Sequence, residues 1–181
     1  TIILMFIMFT MYFSGGMIPG FLNIQSLGLY DSRLALILPG AISTFNLIIM
    51  RTAMASIDAS MEESARLDGA NHFTILFKIM LPLTKATVAV LVLYYGVAHW
   101  NSWFNAMIYL EDKMKEPLQL VLRQILIIND MADMAVGEDT EMISETIKHA
   151  TIIVSTVPIL ALYPFLQKYF VKGMMVGAVK G

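Results

Sequence analysis

The sequence contains no cysteine, which excludes disulfides and thiolate-bound metals. Its three histidines, His72, His99 and His149, are scattered with no pair at ligand spacing, so no metal is expected. Charge is scarce too: 14% of the 181 residues are charged, where ordinary soluble domains sit nearer about a quarter. A net charge of -2 with no basic stripe gives no footing for nucleic acid. There is no G-x-x-x-x-G-K-[ST] loop, so the chain has no phosphate cradle of its own. No nucleophile–base arrangement stands out, and neither an enzyme activity nor a cofactor is expected. The start at Thr1 lacks the basic region of a signal peptide and reads as opening inside a membrane segment.

Apolar sequence is plentiful instead, at 57% of residues. Thr1 to about Met17, Leu34–Met50, Ala86–Leu110 and Ala150–Gln167 are four uncharged runs. All four reach the roughly 17–25 residues that a helix needs to cross the hydrocarbon core of a bilayer, the first only if its start lies upstream of Thr1. The glycines and proline of "SGGMIPG" (Ser14–Gly20) stop or bend the first run. Pro39-Gly40 interrupts the second, as a packing kink or as a break lining a pathway. "PLQLVLRQILII" (Pro117–Ile128) is helix-like with proline at its start, and at about a dozen residues is too short to span.

Four crossings place both ends on one side. The Arg51–Lys85 loop and the tail from Lys168 then hold seven basic residues (Arg51, Arg66, Lys78, Lys85, Lys168, Lys172, Lys180), with Asp58, Glu62, Glu63 and Asp68 as their acids. The connection near Asp31 and the Glu111–His149 segment hold five basic residues against ten acids. The excess of Lys and Arg points the first set, with the C-terminus, into the cytoplasm.

One polar element interrupts this pattern: "MEESARLDGANHFTILFKIMLP", Met61–Pro82. Ser60 and Glu63 fit a capping box, which starts a helix that runs to about Asp68. Gly69 supplies a left-handed C-terminal cap, and Asn71 is placed to cap a second helix, His72–Met80. Phe73, Phe77 and Met80 line one side of that helix, and Pro82 breaks the register before the next span. The residues predict a helix–turn–helix across the cytoplasmic mouth. It is either a knob built to fit a partner or an ordinary amphipathic surface loop.

"ESARLDG" (Glu63–Gly69) followed by "IMLP" (Ile79–Pro82) resembles the EAA motif of bacterial ATP-binding-cassette (ABC) importer permeases, which reads E-A-A, three residues, G, nine residues, I-x-L-P. Glu63, Ala65, Gly69, Ile79, Leu81 and Pro82 match, and Ser64 replaces the first alanine. Ala98–Trp103 and Tyr163–Gly181 are also similar to the sugar-importer branch, so the likeness covers nearly the whole chain. It implies an all-α membrane protein of about four transmembrane helices from a six-helix ABC importer permease bundle, with about two more helices upstream of Thr1. It further implies a cytoplasmic coupling helix-turn-helix at residues 60–83 and an extracellular segment at 111–149.

Functionally, the resemblance implies a subunit that imports oligosaccharides or related carbohydrates across the bacterial plasma membrane. Its partners would be an ABC ATPase subunit, a second permease subunit, an extracellular solute-binding protein and the lipid bilayer. Glu63, Ala65, Asp68, Gly69, Ala70, Ile79, Leu81 and Pro82 would form the surface that the ATPase moves. Tyr94, Asn101 and Asn105 recur at i, i+7, i+11 on one helix face, and with Trp100 and Trp103 they are candidates for a sugar path. Those residues equally suit an interfacial aromatic belt and interhelical hydrogen bonds. Asp130–Glu145 is an acidic stretch that would suit contact with the binding protein. The rival readings are a secondary transporter or channel working without an ATPase, and a scaffold whose loop merely docks a partner. Ion coupling would call for intramembrane carboxylates or histidines, and the runs carry only His99, near the end of its run.

Overall fold

The computed structural model describes residues 2–135 and 141–178. Thr1, the middle of the acidic stretch (residues 136–140) and the last three residues with Lys180 lie outside them. All regular structure among the described residues is helical. In chain order the helices are α1 (Ile2–Tyr12), α2 (Met17–Ser26), α3 (Leu34–Ile37), α4 (Thr44–Ala55), α5 (Ala59–Leu67) and α6 (His72–Ile75). A π-turn over Leu76–Met80 joins α6 to α7 (Leu81–Leu83), and α8 (Lys85–Trp100), α9 (Trp103–Tyr109), α10 (Leu118–Ala135) and α11 (Glu141–Ala178) follow.

Only the fourth apolar run is one unbroken helix. Within α11, Ser144–Pro164 is the single continuous stretch among the described residues that is long and apolar enough to cross a membrane. The 38 residues of α11, at about 1.5 Å each, would extend about 57 Å, well beyond a hydrocarbon core of about 30 Å. The other runs are divided, each for a local reason. In the first, α1 ends at Tyr12, and Gly16 (φ 89°) leads into α2. Pro19 sits in the first turn of α2, where its missing N–H costs nothing. The second run is not the single helix expected over Leu34–Met50. Short α3 gives way at Pro39-Gly40, and α4 restarts where the Ser43 hydroxyl accepts from the Asn46 N–H at 3.4 Å.

The third run is broken at Asn101-Ser102, and the side chains show why. Asn101 Nδ2 donates to the Val97 carbonyl (3.0 Å), and Ser102 Oγ donates to that of His99 (2.7 Å). Short polar side chains thus occupy carbonyls that end the ladder of α8, and α9 starts anew. The expected helix Pro117–Ile128 exists and is longer than expected, since α10 continues to Ala135.

The chain forms two compact units. One contains α1, α4 to α7, the first part of α8 and the end of α11; the other contains α2, α3, α9, α10 and most of α11. In the first unit, α1 packs on α4, the Thr44 hydroxyl donates to the Ile7 carbonyl, and the Ser43 N–H donates to Tyr95 Oη at 3.0 Å. In the second, Ala106, Leu110 and Leu120 form a small core against Leu36 and Trp103. Many large apolar side chains remain outside both cores: Phe6 is 72% exposed and Leu160 63%. A soluble chain would hide such residues, whereas lipid or protein neighbours cover them in a membrane assembly.

Candidate functional site

The polar interruption folds as two short helices around a tight turn. Its first cap is Asp58, not Ser60 as the capping box suggested: Asp58 Oδ1 accepts from the Ser60 N–H at 2.9 Å, and Ser60 lies inside α5. An aspartate in extended conformation just before the helix satisfies an orphan donor of its first turn, so the helix starts two residues earlier. The Glu63 carboxylate is therefore not spent on a cap and stands exposed. Glu62, beside it, pairs with Arg66 one turn on at 2.6 Å. Ala65 is buried on the inner face.

The turn is a Schellman motif. The Ala70 N–H donates to the Ala65 carbonyl and the Gly69 N–H to that of Arg66, both at 3.0 Å. Gly69 has φ +78°, the left-handed region, as expected from sequence. A Cβ built there would meet nothing within 4 Å, so the chain's own atoms do not forbid a larger residue. The backbone strain of about 1–2 kcal/mol is the whole local cost.

Asn71 caps the next helix as expected, its Oδ1 accepting from the Thr74 N–H at 2.8 Å. The helix then departs from the expected His72–Met80 and runs on to Leu83, with Pro82 inside it. A proline ring collides with the carbonyl four residues back in a regular α-helix, and the wider π-turn ahead of Pro82 relieves that contact. The break comes at Thr84, whose hydroxyl and N–H both donate to the Met80 carbonyl (2.8 and 3.0 Å). There the chain turns by 84° into α8. Ile79 and Leu81 are half-buried in this bend, and Asp68 is the C-cap residue of α5. Leu67 (89%), Phe73 (73%) and Phe77 (61%) stay exposed, a rigid knob with apolar tips.

The five residues considered for a sugar path do not lie on one helix. Tyr94 lies on α8 with its ring 6.3 Å from that of Phe45, while Asn101 falls in the break and Asn105 lies on α9. The shared face expected from i, i+7, i+11 is lost because no continuous helix joins them. Trp100 Nε1 donates to the Ser155 carbonyl at 3.0 Å, tying α8 to α11, and the Asn101 amide is used within its own helix. Trp103 packs on the small core, edge to face with Phe104, and carries the Arg123 guanidinium 4.2 Å above its ring.

A second polar junction escaped the sequence. Asp31, a non-glycine residue at φ 52°, receives the Lys115 ammonium on Oδ2 at 2.7 Å and the N–H groups of Glu111 and Asp112 on Oδ1, each at 3.0 Å. Its carbonyl also accepts from Lys115 (2.7 Å), and its N–H donates to the Tyr109 carbonyl (2.8 Å). Tyr30 Oη donates to Glu111 at 2.9 Å, and Arg33 donates to the Met114 carbonyl at 3.1 Å. The Lys115 hydrogen bond first, then the two backbone donors, hold the Asp31 carboxyl down to about 2. Lys115 is raised in turn by Asp31, and Tyr30 by its bond to Glu111. Partners about 80 residues apart leave no periodic trace, so only the position of Asp31 in a short connection was available as a signal.

Residues 1–176 match the family of binding-protein-dependent transport system inner membrane components. The chain belongs to that family. It is 49% identical over 180 residues to the polygalacturonan/rhamnogalacturonan transport system permease protein YtcP of Bacillus subtilis, covering 97% of this chain and 62% of the relative. It is 46% identical to protein LplC of the same organism, covering 99% and 62%. Among solved structures, a bacterial ABC transporter involved in the import of the acidic polysaccharide alginate aligns at a TM-score of 0.80 and 39% identity, over 93% of this chain and 61% of that one. The chain thus spans about three fifths of the length of these relatives. Family membership makes it a membrane-embedded protein.

Proposed function

We propose that the chain is the permease part of an ATP-driven oligosaccharide importer, and that the knob from Asp58 to Leu83 is the handle by which a partner ATPase moves it. The knob's geometry is the observation that carries this reading. Its turn is fixed by its own caps, yet Leu67, Phe73 and Phe77 are left bare. A transport-family chain that rigidifies a small apolar surface beside a sharp bend into α8 has the form of a part awaiting a socket. Glu63, Ala65, Asp68, Gly69, Ala70, Ile79, Leu81 and Pro82 belong to this element; Ala65 and Gly69 shape it, while Glu63 and the phenylalanines face outward.

The knob and the C-terminus lie on the cytoplasmic side in this reading, as the distribution of Lys and Arg favours, and residues 111–149 lie outside. A second permease subunit covers the exposed apolar helices, and an extracellular binding protein delivers the sugar. The relatives named for polygalacturonan and for an acidic polysaccharide favour a carboxylated oligosaccharide as cargo.

Co-purification of the full-length permease with its candidate ATPase tests the reading. Wild type is expected to retain the ATPase and drive uptake. Gly69→Asp should lose association or ATP-driven uptake, while Gly69→Ala should lose far less. If no ATPase associates, or if deletion of Ser60–Leu83 leaves transport intact, a passive or ion-coupled pathway is the better account.

A further inference from the structure

We propose that Arg123, carried on the face of Trp103, recognises a carboxylate of an acidic oligosaccharide; this deepens the reading above and rests on it. Arg123 is the only charge in the apolar stretch Pro117–Ile128, and it is half-buried on α10, between Leu122, which is buried, and Gln124. Its Cζ lies 4.2 Å from the centre of the Trp103 ring. Among the described residues its one polar contact is weak, from Nη1 to the Met107 sulfur at 3.7 Å.

No carboxylate lies within ion-pair distance of Arg123 among the described residues. Five acids of the same compact unit are engaged elsewhere: Asp31 and Asp112 with Lys115, Glu116 with Gln124, Glu111 with Tyr30 and Asp130 with Lys148. A guanidinium presents five donors in a rigid fork. Lying over an indole uses its face and leaves that fork open, and the fork matches a carboxylate through two parallel hydrogen bonds. The guanidinium is half-buried over the indole with no counter-ion among the described residues, so an incoming carboxylate meets no competing partner there. Trp103 does two things here: it sets the height of the guanidinium, and its packing on the core of Ala106, Leu110 and Leu120 holds the ring in place.

A lipid phosphate offers the same oxyanion chemistry as a sugar carboxylate, so the test must separate them. The complete transporter is reconstituted in vesicles of phosphatidylcholine, with and without phosphatidylglycerol, and uptake of trigalacturonate is compared with uptake of its methyl ester. Arg123→Gln should lower uptake of the free acid by about tenfold, the scale of one lost charge-assisted hydrogen bond, in both kinds of vesicle. Uptake of the ester should be unchanged, and Arg123→Lys should recover part of the loss. If the wild type takes only the free acid, loss in Gln with recovery in Lys supports the proposal, and equal loss in both overturns it. Equal loss for acid and ester, no loss for either, or a deficit confined to phosphatidylglycerol vesicles also overturns it, the last by assigning the anion to lipid. Import of neither sugar by the wild type is a different failure, that of the oligosaccharide reading.

Discussion

The knob at Asp58–Leu83 and the junction at Asp31 are both compact polar elements in an apolar chain, yet they are built in opposite ways. The bonds described for the knob join residues two to five positions apart: Asp58 to Ser60, Ala65 to Ala70, Asn71 to Thr74, Met80 to Thr84. The junction draws its partners from 78 to 84 residues away. The knob also leaves its apolar tips bare, whereas the junction spends its charges on itself. A locally held element keeps its shape while its surroundings move, which suits a part that transmits force. An element stitched from distant segments holds those segments in place, and breaking it disturbs both.

That contrast is testable, and the largest effect is expected at the knob. Replacing Phe73 and Phe77 together by alanine should leave folding within about 0.5 kcal/mol, since both rings are exposed. Binding of the ATPase should weaken by at least about tenfold, as for anchor residues at interfaces. Thermal melts beside co-purification separate the two readouts. A large drop in Tm would mean that the rings are covered within the permease itself, and the contrast would fail.

The junction should give the reverse result. Asparagine tolerates a left-handed backbone almost as well as aspartate does, so Asp31→Asn removes charge without adding strain. It leaves Lys115 without its main counter-charge and replaces an acceptor facing two backbone donors. The Tm of the purified permease should fall while ATPase association is retained. A third variant sharpens the comparison at smaller scale. Asn71→Ala deletes one local cap and should cost about 1 kcal/mol by denaturant melt, with no effect on the Asp31 junction.

The two regions also differ in how far the sequence revealed them. Gly69 and Asn71 could be assigned from their residue types, because a turn glycine and a cap asparagine act on neighbours a few positions away. Where local rules competed, the outcome was misjudged: Asp58 and Ser60 are both good caps, and Asp58 won by starting the helix earlier. Pro82 by its residue type signals a stop, but the π-helical turn ahead of it absorbs the ring and moves the break to Thr84. The common face for Tyr94, Asn101 and Asn105 assumed a straight helix, and Asn101 and Ser102 are the residues that break it. Asp31–Lys115 and Arg123–Trp103 depend on tertiary proximity, to which no period in the chain corresponds.

The smallest effect is one of pH, and its direction follows from the Asp31 carboxyl. Its folded value, about 2, lies below the usual carboxylate range. A group lowered in this way stabilises the fold fully above its unfolded value, about 4, and loses that contribution as pH falls towards about 2. Lys115 stays charged throughout this window, being raised by the same contact. Melting of wild type should therefore be flat in this contribution between about pH 5 and 8 and fall only below about 4. Asp31→Asn should start lower and lack that part of the acid-side decline, so the two curves should converge at low pH. If they stay parallel down to about pH 2, the Lys115 contact does not act through charge, and the junction is held by its backbone hydrogen bonds alone.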